Sequence, residues 1–553
     1  MGNYSLTFSL GVGLSLALTP LSRRLALRIG AIDHPSERRI HLVATPRLGG
    51  PAILLALALA MLLAALLDGL VRATLWWQAR QIVALAIGAL MVTLVGAIDD
   101  VRSLRPSIKL CVEIAAAAVV VHGGYRIDAI SIFHLGALSF PLSMFFIVAT
   151  VNAVNLVDGL DGLVVGQCLI ISATLLLMRS SSRPAEAPLM LAALCGVLLG
   201  FLPYNFHPAR IFLGDSGAFL LGLAIAAASI STSQQMNDAG AKLTPFLALG
   251  LPFGELSLTT LRRFLREVRA VKRAGEHAGY RWVLLRRPAL FTADCDHIHH
   301  RLLGLGFSHR RAVALLYAAC ATSCGAAFMI AHYPELRSAA LVTIAVASIA
   351  GLRRLGYREL MPLRSGLLLP LFEARALSRT ATQVMVDTIT ITSSYALACL
   401  IEGEANGVSR ELFLIALPIV ATLQMTVFAM SGLYRRSRRH AGIDDAIEAS
   451  KALAFAVAVA AFAAMLVRSL GIGLRVVILD AYILATMVLG ARLSFRVLEH
   501  LRQSQGADSA GRAGLTDAYE IVPQVTASAA APETATPRRT ATVVPIRNAG
   551  VPR

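Results

Sequence analysis

Residues 82–98 read IVALAIGALMVTLVGAI, and Asp99 and Asp100 follow them directly. This run is apolar and close to the roughly 20 residues that a helix needs to cross the hydrocarbon core of a bilayer. Similar runs recur along most of the chain, for example at 48–67, 216–231 and 452–470. Because 56% of the 553 residues are hydrophobic and only 15% are charged, the sequence predicts an all-α, polytopic helical membrane protein.

The apolar runs predict about fifteen transmembrane helices, arranged in two groups. About eleven of them fall within residues 1–351, which we expect to form one membrane-embedded domain. A basic cytoplasmic connector is expected at 352–381, and a membrane module of about four helices at 382–500. Residues 501–553 are rich in Ala, Thr, Pro and Arg, a composition that is typical of a disordered cytoplasmic tail.

The formal net charge of +18 is concentrated in certain short loops. Arginines crowd residues 23–47, 262–287, 353–379 and 435–439, and these loops alternate with nearly neutral ones. That alternation is the positive-inside pattern. The charge therefore indicates topology and attraction to the anionic lipid bilayer, with the basic loops in the cytoplasm, and it argues against nucleic acid as a partner.

Polar residues gather in five clusters at the predicted cytoplasmic helix ends, where ionisable groups are costly and are therefore functional candidates. Two clusters are basic. In the first, at 33–50, Arg39 and His41 suit an anionic headgroup or phosphate, although an ordinary positive-inside loop would look the same. The other reads DHIHHRL at 296–302. It suits a diphosphate better than zinc, because no cysteine or fourth ligand stands at a typical interval.

A third cluster is the adjacent pair Asp99 and Asp100 at the end of an apolar run. Two carboxylates side by side repel each other, and a divalent cation or a cationic partner relieves that repulsion. Arg102 and Arg105 lie just beyond and could supply a structural salt bridge instead. The pair thus predicts either a metal or substrate site or a local ion pair.

The remaining two clusters are also acidic. Residues 152–162 read NAVNLVDGLDG; Asp158 and Asp161 share a face if this segment is helical, and its glycines allow a ligand to approach closely. Residues 205–217 read NFHPARIFLGDSG and lead into the next apolar run. The free N–H groups at that helix start could face an anion or a metal-bound phosphate, or a side chain there could simply cap the helix. Asp215 is a hard oxygen ligand of the kind that Mg²⁺ takes.

In this order and on one side of the membrane, the clusters resemble those of the polyprenyl-phosphate N-acetylhexosamine-1-phosphate transferase superfamily, over roughly residues 1–351. The resemblance implies Mg²⁺ as cofactor, with Mn²⁺ as the alternative, and a site that faces the cytoplasm in a bacterial inner membrane. It implies catalytic roles for Asp99, Asp100, Asp158 and Asp161, and metal binding by Asp215 and Asn155. Together with the first basic cluster, it implies that the following residues bind the substrates: Arg39, His41, Asn152, Asn155, Asn205, Arg210, Phe212, His297, His299, His300 and Arg301.

The DHIHHRL segment resembles the UDP-N-acetylhexosamine branch, because the muramoyl-pentapeptide branch has three consecutive histidines followed shortly by Glu. A small departure is Ala218, where a serine often stands. The resemblance implies transfer of an N-acetylhexosamine 1-phosphate, with N-acetylglucosamine as the first expectation, from a UDP-sugar to undecaprenyl phosphate, and release of UMP. Such a reaction starts a lipid-linked cell-envelope glycan such as lipopolysaccharide.

Residues 370–500 resemble the N-terminal membrane domain of capsule-type sugar-nucleotide dehydratases, notably through FAMSGLYRR at 428–436. In those enzymes a nucleotide-binding domain follows. Here the glycines at 506–511 have no preceding strand and no room for such a domain, so we expect no dehydratase activity. Docking of glycan-assembly enzymes, or of a second copy of the chain, is a hypothesis for this module.

Two other classes fit part of the pattern. A transporter also carries acids within the membrane, but near the middle of several spans, whereas here they cluster at helix ends. A catalytically inactive scaffold would explain the additional helices but not the intact acidic clusters. Since no serine, cysteine or lysine nucleophile stands out, we expect direct attack by the acceptor phosphate, with Asp99 or Asp100 as a base, a metal ligand or a partner for a cation.

Overall fold

The computed structural model describes residues 2–33, 44–130, 133–178, 186–236, 241–273, 297–333, 379–402, 410–430 and 475–485, with single positions at 336, 337, 340, 343, 351 and 487. These residues are mainly helical, which confirms the all-α class. Among them, eight helices are long and apolar enough to cross a membrane, and three shorter apolar helices accompany these. The chain is therefore a multi-pass membrane protein. The predicted number of spans and the four predicted regions extend beyond the described residues and stay predictions.

The helices run in chain order as α1 Gly2–Ile29, α2 Gly49–Leu67, α3 Gly69–Trp77, α4 Ala79–Val101, α5 Pro106–Gly123, α6 Ser139–Val157, α7 Leu163–Leu177 and α8 Glu186–Asn205. They continue as α9 Gly214–Gln235, α10 Thr244–Leu247, α11 Gly250–Arg273, α12 Ile298–Gly304, α13 His309–His332, α14 Arg379–Glu402 and α15 Arg410–Met430. Residues 475–485 are also helical. Two antiparallel pairs of very short strands join β1 Ile32–Asp33 to β2 Thr45–Pro46, and β3 Ala129–Ile130 to β4 Phe133–His134.

Helix α9 lies at the centre of the bundle, against α2, α4, α6 and α7. Every residue of its most apolar stretch is buried, and its sequence is rich in Gly, Ala and Ser. Small side chains let neighbouring helices approach closely, which helix association within a membrane favours. Leu67 of α2 and Phe145 of α6, in contrast, are 69% and 70% exposed. Large apolar side chains exposed in this way identify the outer, lipid-facing surface of the bundle.

Two glycines bring the end of α4 against the start of α9. A Cβ atom at Gly96 would overlap the backbone of Ser216, and one at Gly214 would overlap the carboxylate of Asp100. Gly214 also has a φ of 70°, in the left-handed region that glycine adopts most readily. Backbone contact at these positions places the acidic end of α4 directly on the first turn of α9.

The described helices near the C-terminal end pack around a buried polar centre. Asp480 accepts hydrogen bonds from Ser394 Oγ and from Gln424 Nε2, both at 2.7 Å. All three side chains are buried, and each belongs to a different helix. Polar side chains that bond across helices hold membrane helices together, so this centre ties α14, α15 and residues 475–485 into one unit.

This unit contacts the preceding helices at the end of the bundle opposite to Asp99. Arg337, which follows α13, donates from Nη1 to the carbonyl oxygen of Ile401 at 3.1 Å. The rings of Phe133 in β4 and Phe413 in α15 meet edge to face, with centroids 5.0 Å apart. A guanidinium at the C-terminal end of α14 is favourable because the helix dipole is negative there. The two groups of helices are thus joined within the described residues.

Candidate active site

Asp100 holds the start of α9. Its carboxylate accepts hydrogen bonds from Asp215 N at 2.9 Å, Ser216 N at 3.2 Å and Ser216 Oγ at 2.7 Å. The first N–H groups of a helix have no partner within it, and a negative charge is favourable there. Asp215 N and Ser216 N are therefore not free to face a substrate anion, and the alternative that a side chain of this segment caps α9 is wrong, because its N-cap residue makes no side-chain hydrogen bond. The cap comes from α4.

Lys109 lies between the carboxylates of Asp99 and Asp215. Its Nζ is 3.2 Å from Asp99 Oδ2 and 2.9 Å from Asp215 Oδ2, and Asp99 also accepts a hydrogen bond from Leu104 N at 2.7 Å. The cationic partner of the adjacent aspartates is thus a lysine of α5. The sequence prediction missed Lys109, although a lone lysine near the start of an apolar helix is itself a signal of function.

One turn further along α5, Glu113 is 3% exposed and accepts a hydrogen bond from Nδ2 of Asn152. The same nitrogen donates to the Val148 carbonyl oxygen at 2.9 Å. Asn152 therefore joins α6 to α5 through its amide group. Asn155, the next amide on α6, is half-buried and lies nearer the acidic end of the helix.

Residues 158–162 form a turn, because α6 ends at Val157. The condition for a shared helical face of Asp158 and Asp161 is therefore not met, and the two carboxylates have different surroundings. Water reaches Asp158, yet protein atoms crowd around it. This desolvation, followed by the charge of Asp215, raises the pKa of Asp158 to about 7. Asp161 instead accepts a hydrogen bond from Ala209 N at 3.1 Å.

The last residue of α8 bonds to this turn. Asn205 is 4% exposed; its Oδ1 accepts from Gly162 N at 3.2 Å, and its Nδ2 donates to Ile211 O at 3.0 Å. The oxygen and the nitrogen of this amide thus both bond to the backbone. Phe212 is half-buried, and Arg210 is exposed.

Glu255 of α11 positions the histidine segment. Its Oε1 lies 3.0 Å from His297 Nδ1 and accepts a hydrogen bond from Ile298 N at 3.2 Å. His299 is 3% exposed and its ring touches Gly159, where a Cβ atom would overlap it. Burial and the neighbouring histidines lower the pKa of His299 to about 3, so its imidazole is neutral at pH 7. This segment therefore packs on the Asp158 turn.

The structure thus brings most of the predicted site residues to one end of the bundle. His300 and Arg301 are half-buried in α12, next to the histidines that pack on the turn. Arg39 and His41 lie outside the described residues. Three residues that the sequence prediction did not single out, Lys109, Glu113 and Glu255, bond directly to predicted site residues.

The oxygen donors at this end fit a hard divalent cation. Asp99 and Asp215 already share a cationic nitrogen, and Asn155 and Asp158 add an amide and a carboxylate at the same end of α6. Mg²⁺ prefers oxygen ligands of these kinds. Asp100 faces the start of α9 instead of these donors, because its carboxylate accepts three hydrogen bonds from Asp215 and Ser216.

Comparison with known proteins agrees with this geometry. Residues 82–233, which include the described aspartates of the site, match glycosyl transferase family 4. A probable undecaprenyl-phosphate N-acetylglucosaminyl 1-phosphate transferase of Bacillus subtilis (strain 168) is 31% identical over 308 residues, or 55% of this chain and 78% of the relative. A decaprenyl-phosphate N-acetylglucosaminephosphotransferase of Mycobacterium tuberculosis (strain ATCC 25618 / H37Rv) is 35% identical over 378 residues, or 62% and 87%. A phospho-N-acetylmuramoyl-pentapeptide-transferase of Desulforudis audaxviator (strain MP104C) is 31% identical over 247 residues, or 39% and 71%.

Proposed function

The chain belongs to glycosyl transferase family 4, and we propose that it transfers N-acetylglucosamine 1-phosphate from UDP-N-acetylglucosamine to undecaprenyl phosphate, releasing UMP. Two of the relatives above are named for transfer of this sugar to polyprenyl phosphates, which supports both the sugar and the class of acceptor. The product would start a lipid-linked glycan of the bacterial cell envelope. The basic loops support a cytoplasmic site in the plasma membrane.

The contact of Lys109 with Asp99 and Asp215 carries this proposal. It places two carboxylates and one cation at the end of a helix bundle, where a lipid phosphate and a water-soluble nucleotide sugar can meet. Phosphoryl transfer depends mainly on positioning and on stabilising charge on the phosphate oxygens. Such a set of fixed charges suits that chemistry better than transport, which places acids near mid-membrane.

Asp215 and Asp99 would hold Mg²⁺, with Asn155 and Asp158 as further oxygen donors, and the bound metal would neutralise charge on the donor diphosphate. Asp100 positions Asp215 through the start of α9. Its three hydrogen bonds at the start of α9 give it a structural role. Asp99 would act as a metal ligand, and a dianionic acceptor phosphate can attack without a protein base.

The lipid phosphate attacks the sugar-bearing phosphorus of the donor, and UMP leaves. Lys109 orients the two carboxylates that it contacts. His300 and Arg301 offer donors for the phosphate oxygens of the nucleotide sugar, since charge-assisted hydrogen bonds favour such contacts. The reaction needs no covalent intermediate with the protein.

The test is transfer of radiolabel from UDP-[³H]GlcNAc and UDP-[³H]GalNAc to undecaprenyl phosphate in membranes, with Mg²⁺ or with EDTA. We expect label from the GlcNAc donor only, lost with EDTA and lost in Asp215→Ala. The matched control is Asp128→Asn, a carboxylate in the connection before α6 at the other end of the bundle, where it accepts from Ser139 Oγ. This variant should transfer like wild type.

Label from neither donor, with the protein folded in the membrane, would contradict the proposed sugar and acceptor together. Label that appears only from the GalNAc donor would contradict the sugar and leave the acceptor. Transfer that survives both EDTA and Asp215→Ala would contradict the metal and the role of this carboxylate.

A further inference from the structure

A second group of metal-binding side chains lies beside the Asp158 turn. Asp161 is in the turn between α6 and α7, His207 follows α8, and His309 is the first residue of α13. One ligand atom from each lies within 4.8 Å of the other two. The shortest separation, from His207 Nδ1 to Asp161 Oδ2, is 2.9 Å. All three residues are half-buried, so a dissolved ion can reach them.

Other contacts hold the three parts of this group in place. Asp161 Oδ2 accepts a hydrogen bond from Ala209 N at 3.1 Å, and His309 Nε2 lies 3.4 Å from the Asp161 carbonyl oxygen. The imidazole rings of His207 and His309 stack with centroids 4.1 Å apart. Three separate parts of the chain thus bring these side chains together, and an ion that binds them would replace the direct contact of His207 Nδ1 with Asp161 Oδ2.

The chemistry of the ligands selects the metal. Two imidazoles and one carboxylate suit zinc and the neighbouring transition metals, whereas Mg²⁺ prefers oxygen. We propose that Asp161, His207 and His309 form a binding site for one zinc-class divalent cation, separate from the oxygen donors around Asp215. Three protein ligands leave one position open for water or another ligand.

The bound ion would crosslink three parts of the chain. It would fasten the start of α13 and the segment after α8 to the turn that carries Asp158. It would thus stabilise the folded state by an amount that grows with the logarithm of the ion concentration above the dissociation constant. The consecutive histidines do not provide an equivalent site among the described residues. With Glu255 they do not form a group of three ligand atoms that all lie within 4.8 Å of one another, and His299 is buried against Gly159.

The test uses the purified full chain without a histidine tag, titrated with Co²⁺ as a spectroscopic substitute for Zn²⁺. We expect one Co²⁺ per chain with visible d–d absorption, displacement by Zn²⁺, and a higher melting temperature with either ion. His207→Gln and His309→Gln should each weaken binding by at least about tenfold. The measurement needs no substrate, so its result is independent of the proposed reaction.

Two control variants and one rescue variant make the result specific. His332→Gln changes an exposed histidine at the other end of α13, whose Nδ1 lies 3.2 Å from the Phe328 carbonyl oxygen, and His300→Gln changes the consecutive histidines. Both should bind Co²⁺ like wild type. His309→Cys keeps a zinc ligand and should bind one Co²⁺ per chain with a thiolate charge-transfer band that wild type lacks.

No Co²⁺ binding by wild type, or unchanged binding in His207→Gln and His309→Gln, would overturn the proposal. Equal weakening in His332→Gln or His300→Gln would do the same, since the ion would then lie elsewhere.

Discussion

Replacing Asp100 by asparagine separates a structural from a chemical role for this carboxylate. The aspartate accepts three hydrogen bonds at the start of α9, whereas an asparagine has one acceptor oxygen and turns an NH₂ group toward the remaining donors. An unpaired buried N–H group costs about 1–3 kcal/mol, and loss of a negative charge at a helix start costs up to about 2 kcal/mol. We therefore expect Asp100→Asn to reduce stability by about 2–4 kcal/mol.

The assay is thermal unfolding of the purified protein in detergent, run beside the radiolabel transfer. Asp100→Asn should lower the melting temperature by several degrees and also lower transfer, because Asp215 loses its support. Asp99→Asn is the matched control. An asparagine there can still accept the hydrogen bond of Leu104 N, and Lys109 keeps Asp215 as its partner. The melting temperature should therefore fall much less than in Asp100→Asn, while transfer should fall by about 100-fold or more because a metal ligand is lost.

Ser216→Ala removes one of the three hydrogen bonds to Asp100. Its loss of stability, about 1 kcal/mol, should lie between those of Asp99→Asn and Asp100→Asn. If Asp100→Asn melts like wild type and yet abolishes transfer, Asp100 acts in the chemistry, and the reasoning that makes it the cap of α9 is refuted.

Lys109→Gln should lower both the maximal transfer rate and the Mg²⁺ concentration for half-maximal rate, because two facing carboxylates lose the cation that competes with the metal. A titration of transfer with Mg²⁺ checks this, and an unchanged concentration for half-maximal rate would contradict it. Gly159→Ala should abolish transfer, since a Cβ atom there would overlap the His299 ring. Gly304→Ala, which has open space around the added atom, is its control and should retain transfer, so equal activity of the two variants would disprove the contact. Desolvation and a neighbouring charge raise the pKa of Asp158 to about 7, so its ionised fraction increases as pH rises through 7. Because protons and Mg²⁺ compete for this carboxylate, the Mg²⁺ concentration for half-maximal transfer should fall over the same pH range in wild type and not in Asp158→Asn. The same pH dependence in both would rule this role out.

Hydrophobic length alone was sufficient to predict the all-α membrane class and individual spans, whereas the predicted number of spans stays a prediction. The apolar run at 82–98 became α4, Ala79–Val101, because a segment of that length and composition has one stable conformation in lipid. The central place of α9 was not predicted. Its sequence is no more apolar than that of other spans, and what distinguishes it is the small size of its side chains, which matters only once other helices pack around it.

The adjacent aspartates were predicted to act together, but the structure gives them different partners. Successive residues on a helix point about 100° apart, so Asp99 and Asp100 face different neighbours. Asp99 meets Lys109, and Asp100 meets the start of α9. The sequence predicted that the repulsion between them must be relieved, but not that a lysine would relieve it for one and a helix start for the other.

The two groups of histidines show why spacing along the chain is a weak guide to metal binding here. The DHIHHRL segment has the local spacing of a metal site, yet His297 is paired with Glu255 and His299 is buried. Asp161, His207 and His309 come from three distant parts of the chain and nevertheless place their ligand atoms within 4.8 Å of one another. Ligand atoms converge where helix ends meet, and helix packing decides which ends those are. A sequence motif can therefore identify the acidic end of this bundle, whereas the pairing of side chains across it follows from the packing of α6, α8 and α13.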